Sequence, residues 1–98
     1  MSSRRRHTKA EDAYLGRVAA MRCRLCKLLD MHQATPTAIH HPRTGYGGAE
    51  RAPHWLAIPL CWDCHQGPTG LHGDKSLLRI AKVGELDLLA DTIKELNP

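Results

Sequence analysis

Four cysteines and a cluster of histidines hold most of the chemistry available to this chain. The cysteines form two C-x-x-C pairs, Cys23-Arg-Leu-Cys26 and Cys61-Trp-Asp-Cys64, and the second pair runs straight into His65. C-x-x-C-H is an attachment string for c-type haem, C-x-x-C alone is a redox pair, and two such pairs make a four-thiolate zinc site. The stretch MSSRRRHTKAEDAYLG holds no apolar run of the signal-peptide kind, and no later run approaches the ~20 apolar residues of a membrane span. The expectation is therefore a cytoplasmic protein with reduced thiols and no membrane contact. That sets haem aside, because haem c is attached after export. No βαβ pattern surrounds either pair, which weakens the redox reading. The pairs point to one structural Zn²⁺ held by Cys23, Cys26, Cys61 and Cys64, each pair a knuckle presenting two thiolates. The plainer alternative is four buried or free thiols.

A zinc ion held by four thiolates has no room for a fifth ligand, so the histidines need an account of their own. There are seven. His7 and His32 have no evident partner and are expected to be solvated. His40, His41, His54, His65 and His72 gather around the second knuckle and the segment before it. They are either ordinary polar surface or ligands of a second, catalytic divalent ion with open positions for water and phosphate. His40 and His41 are adjacent, and on a regular strand they face opposite ways. One can then ligate metal while the other acts on water. Pro42 ends the strand directly after them.

The elements that must position these groups are short. Ninety-eight residues with two Trp, two Tyr and no Phe make one domain with a thin core, for which a metal staple is expected. Residues 1–8 are expected to be a flexible basic arm and residues 9–98 a single domain. The net charge of +4 rests largely on Arg4, Arg5 and Arg6, which suit either a phosphate backbone or a solvated tail. Thr8-Lys-Ala-Glu11 is a capping box, and Ala10, Tyr14, Val18 and Met21 behind it predict a helix over 9–21. Prolines and glycines then break the chain from 35 to 59, leaving two extended pieces, Thr37–His41 and His54–Ile58. These predict an irregular hairpin with a long loop, on which Arg43 and Arg51 are candidate phosphate contacts. Asp74 is predicted to cap a helix that stops at Gly84. Leu86, Leu89, Ile93 and Leu96 predict an amphipathic helix over Glu85–Leu96.

Ile39-His40-His41-Pro42, then Ile58-Pro59-Leu60-Cys61-x-x-Cys64-His65, then His72, resembles the zinc-knuckle HNH endonucleases, the ββα-metal or His-Me finger group. Within that group IHHPRTG, ERAPHWLAIPLCWDCHQG, GLHG and ELDLLADTIKEL are most similar to the phage recombination-enhancement nuclease Ref family. The resemblance covers roughly residues 20 to 96. It implies an α+β fold, a small zinc-stabilised ββα-metal core with an N-terminal helix and C-terminal helices. It further implies metal-dependent hydrolysis of DNA phosphodiester bonds in phage recombination or DNA processing. Carried over residue by residue, His40 matches a ligand of the catalytic divalent metal, Mg²⁺ or another, and His41 matches the general base. His65 and His72 complete the metal site. The partner implied is DNA, with a recombinase or another DNA-bound protein as a candidate second partner. Two departures stand out. The family's middle asparagine has no Asn counterpart, and His54 lies nearest to it. The closing histidines are separated by a stretch containing Gly67, Pro68 and Gly70, so one uninterrupted helix cannot present both. A non-catalytic zinc-knuckle DNA-binding module is the competing expectation.

Overall fold

The computed structural model describes residues 7–98. The candidate phosphate contacts Arg4, Arg5 and Arg6 lie outside the described residues. The first helix, α1 (Lys9–Ala19), starts at the capping box: the Thr8 hydroxyl accepts from the Glu11 amide at 3.0 Å, and the Glu11 carboxylate accepts from the Thr8 amide at 2.9 Å. It stops two residues before the end that periodicity predicts. Leu15 and Val18 form its buried face, Tyr14 is half-buried and Ala10 is exposed.

The first knuckle opens a short helix, α2 (Arg24–Leu28), with the Cys23 sulfur accepting from the Cys26 amide at 3.5 Å. The chain then enters β1 (Thr37–His40), which pairs antiparallel with β2 (Ile58–Cys61), His40 opposite Ile58 and Ile39 opposite Pro59. Both strands of this two-stranded sheet are edges, so the missing amide of Pro59 disrupts no further pairing.

The second strand thus corrects the sequence expectation, which placed an extended piece at His54–Ile58. His54–Leu56 is a 3-10 turn, and extension resumes only at Ala57. Pro53 is the physical reason. Its ring holds φ at −57° and its carbonyl accepts the Leu56 amide at 3.0 Å, a turn-initiating arrangement. Turning there also carries Trp55 against Tyr14 of α1, with ring centroids 5.0 Å apart.

From β2 the chain passes at once into α3 (Trp62–His65), then through a tight loop into α4 (Ser76–Ala81) and α5 (Glu85–Leu96). The result is a small α+β molecule whose two-stranded sheet is flanked by helices. Its main core surrounds the cysteines, with Leu25, Ile58, Leu60, Leu71 and Leu88; a smaller cluster under α1 holds Leu15, Val18 and Ala57. On α5 the buried residues are Leu88, Leu89 and Thr92, whereas Leu86 and Ile93 are exposed. The predicted stripe is therefore rotated. Arg24 explains the rotation: it is 1% exposed and donates to Asp91 at 3.1 Å and Glu95 at 2.6 Å, which fixes the α5 face turned toward the first knuckle. No helix among the described residues is long and apolar enough to cross a membrane.

Candidate metal centres

The two knuckles converge. α2 and the residue capping it supply Cys26 and Cys23, while the end of β2 and α3 supply Cys61 and Cys64; all four are buried, with their sulfurs within 4.8 Å of one another. The Cys26 sulfur lies 3.8 Å from those of both Cys61 and Cys64. That is far beyond the ~2.05 Å of a disulfide. It equals the edge of a tetrahedron with metal–sulfur bonds of ~2.3 Å, which is about 3.8 Å. The thiols alone oppose one another's ionisation. Hydrogen bonding from Cys64 pulls Cys23 down to about 5, burial pushes Cys26 up to about 12, and the contact with Cys23 pushes Cys64 up as well. Only a cation among them lets all four carry charge together. The donor set fits a structural metal ion such as zinc.

A second cluster forms where the end of β1 meets α3 and the loop after it. His40 from the end of β1, His65 from α3 and His72 from the following loop bring one ring nitrogen each within 4.8 Å of the others. His65 Nε2 is 3.0 Å from His40 Nδ1 and 3.1 Å from His72 Nε2. The glycines between His65 and His72 make this possible. They let the chain double back, so that Leu71 N–H donates to the Cys64 carbonyl at 2.8 Å and His72 N–H to the His65 carbonyl at 2.9 Å. A Cβ on Gly67 would lie 2.4 Å from the Asp63 carbonyl oxygen, and one on Gly70 would lie 2.5 Å from that of Cys64. The insertion that an unbroken helix could not span is a packed turn that returns His72 to His65.

Sequence reasoning missed Glu85. The first residue of α5, it meets His40 Nε2 with one carboxylate oxygen and accepts from the Arg43 amide, the Thr44 amide at 2.9 Å and the Thr44 hydroxyl at 2.6 Å. Burial alone would raise its pKa, but these donors overcome that and hold it at about 2. An ionised carboxylate keeps the His40 proton on Nε2 and leaves the Nδ1 lone pair directed at His65 and His72. This carboxylate–histidine arrangement is the one that orients metal-binding imidazoles. Burial pushes His40 below the ordinary imidazole range and His65 down to about 4, so both favour the neutral, ligating form. Nothing in the local sequence pairs Glu85 with His40; the contact exists only because α5 returns to the end of β1.

His41 turns the other way, its Nε2 2.9 Å from His54 Nδ1. Burial, and then the neighbouring His54, lower its pKa. His7 is exposed, as expected, but it does have partners: it stands edge-on to His54 at 4.1 Å between ring centroids and has its Nδ1 2.8 Å from Asp12. His32 is exposed. A cleft of about 230 Å³ joins the two histidine groups, bordered by His40, His41, Arg51 and His72. The Arg43 guanidinium borders it too, but it donates to the carbonyls of Glu50 at 2.8 Å and Gly48 at 3.0 Å, bracing its own loop. Comparison with protein-family models, with curated proteins and with solved structures returns no match to this chain, so its chemistry is argued from this geometry.

Proposed function

We propose that the protein is a small zinc-stapled endonuclease of the ββα-metal type that hydrolyses DNA phosphodiester bonds with a divalent ion. The observation that carries this reading is the divergence of His40 and His41 at the end of β1. One joins the His65–His72 cluster, the other pairs with His54, and a single open cleft borders both. A divalent ion held by His40, His65 and His72, a donor set that suits a transition-metal ion better than Mg²⁺, would neutralise charge on the phosphate and on the leaving oxygen.

The remaining steps belong to the protein. If His41 donates its Nε2 proton to His54 Nδ1, its own Nδ1 keeps a lone pair and can take a proton from water. His54 thereby orients the base, as the family asparagine would. The proton gained at Nδ1 leaves an imidazolium that the His54 acceptor stabilises. Arg51, exposed at the rim, is available to a flanking phosphate. Glu85 acts through His40 as a positioning residue.

The test is cleavage of supercoiled plasmid in Mg²⁺ or Mn²⁺. His41→Ala is expected to lose about 10²–10⁴-fold in rate with DNA binding kept, because only proton abstraction is removed. His40→Ala is expected to lose activity that high metal concentration partly restores. If His41→Ala cuts as well as the natural chain, the proposed base is wrong. If the natural chain cuts no DNA structure, the non-catalytic binding-module reading replaces this one.

A further inference from the structure

A second, larger groove of about 590 Å³ opens beside the cleft and shares His40, Arg43 and His72 with it. Its far wall is α4. We infer that this groove is the track for the sugar–phosphate backbone of one nucleic-acid strand, gripped by Lys75, Arg79 and Lys82 and leading it to the histidines. The inference deepens the reading of the chain as a DNA-acting protein and rests on it.

Charge is the first argument. With Arg4, Arg5 and Arg6 set aside, eleven basic residues face ten acidic ones, close to balance. Four of those eleven, Arg43, Lys75, Arg79 and Lys82, line this one groove, against the two acids Glu85 and Asp87. Neither acid forms an ion pair with any of these four side chains. Glu85 serves His40, Arg43 and Thr44, and the Asp87 carboxylate accepts from the Gly84 amide at 2.8 Å at the start of α5. Arg79 donates to the Asp74 carbonyl at 2.9 Å and the Ser76 hydroxyl at 3.4 Å; the Asp74 carboxylate feels its charge but forms no ion pair with it. Among the described residues no carboxylate lies within ion-pair distance of Lys75 or Lys82, whereas Lys27 of α2 contacts both Asp91 and Glu95.

Backbone conformation is the second and independent argument. Lys75 and Lys82 bracket α4, and both are left-handed, with φ of 64° and 60°. That conformation costs an L-residue about 1–2 kcal/mol, and glycine is its usual occupant. The other left-handed non-glycine residue described, Asp30, has a short polar side chain that tolerates the region; lysine offers no such compensation. At both ends of α4 the chain therefore carries an amine where the fold alone favours glycine. Seven residues at a rise of about 1.5 Å set the two lysines about 10 Å apart, comparable to about three base-pair steps along a duplex axis at about 3.4 Å each.

The glycine preference supplies the experiment. Binding of a fluorescent DNA duplex is measured against salt concentration in buffer free of added Mg²⁺ and Mn²⁺. The proteins are the natural chain, the double variant Lys75→Gly/Lys82→Gly, the double variant Lys75→Gln/Lys82→Gln, and Lys9→Gln/Lys94→Gln as a control remote from the groove. Both groove variants are expected to flatten the log–log salt slope by about 2, at about 0.9 per lost phosphate contact. The glycine variant is expected to melt no lower than the natural chain, and the control to keep its slope. Groove variants that keep the natural slope, a control that flattens it equally, or a natural chain that binds no duplex would each overturn the inference. Plasmid cleavage separates this from the nuclease reading. Cleavage with an unchanged slope in the groove variants removes the groove and leaves the enzyme. A flattened slope with no cleavage by the natural chain keeps the groove and removes the enzyme.

Discussion

The cysteine and histidine clusters adjoin at α3, through Cys64 and His65, and follow opposite rules. The cysteine cluster is closed: four buried sulfurs at tetrahedral spacing, shut inside the main core with Leu25, Ile58, Leu60 and Leu88. The histidine cluster is graded, with His40 buried, His65 half-buried and His72 exposed, and it opens on a cleft. Structural sites fill every coordination position from the protein, whereas sites that meet a substrate keep positions free. An ion bound at the first site would be inseparable from folding, while one held at the second would exchange without disturbing the core.

The strongest way to break this comparison is to remove one sulfur. A structural zinc site contributes about 10–16 kcal/mol of apparent free energy, as much as or more than the ~5–15 kcal/mol net stability of a typical domain. Cys61→Ala should lose zinc and its cooperative thermal transition together, whereas His40→Ala should keep both. Calorimetry with metal analysis checks this; a zinc-free variant that melts like the natural chain would sink the structural role.

Next in size is the tie between the first knuckle and α5. Asp91→Ala/Glu95→Ala would strand the buried Arg24 guanidinium. Removing the partners of a fully buried charge costs ~3–5 kcal/mol, and with Glu95 46% exposed we expect about 2 kcal/mol, or roughly 10 °C in melting temperature. The pH dependence follows from Glu95, whose carboxyl Arg24 and then Lys27 hold below the ordinary range. Its folded pKa is lowered, so the stabilisation is present above the unfolded value and is lost as pH falls through the folded one. Glu95→Gln should therefore lose less stability than the natural chain between pH of about 6 and about 3, as urea midpoints will show.

Glu85→Ala sharpens the contrast from the open side. Loss of a carboxylate that orients a metal-binding imidazole typically weakens metal affinity about 10–100-fold. Calorimetric titration with Mn²⁺ should register that drop at the histidine cluster while zinc content stays at its natural level. Thr8→Ala, remote from both clusters, should cost about 1 kcal/mol through the lost cap and change neither metal site.

What was legible in the sequence was mostly local. The capping box, the paired knuckles and the extent of α5 each depend on residues a few positions apart, and the structure contains them. What escaped depends on contacts across the fold. The face of α5 was misread because leucines at 86, 88 and 89 leave its rotation ambiguous, and the choice is made by Arg24 on another element. Pro53 outweighed the extended character of the residues after it. Glu85 could not be paired with His40 from spacing, since they meet only after β1, β2 and three helices are in place.

The most direct test of the two-site account is a graded chelation experiment, with helicity by circular dichroism and bound metal measured on the same samples. A weak chelator should strip an ion from the open histidine cluster with no change in helicity. A chelator strong enough to compete with four thiolates should then remove zinc and helicity together. Two separate steps are predicted. A single step in which all metal and all helicity disappear together, or zinc loss with helicity retained, would contradict the account.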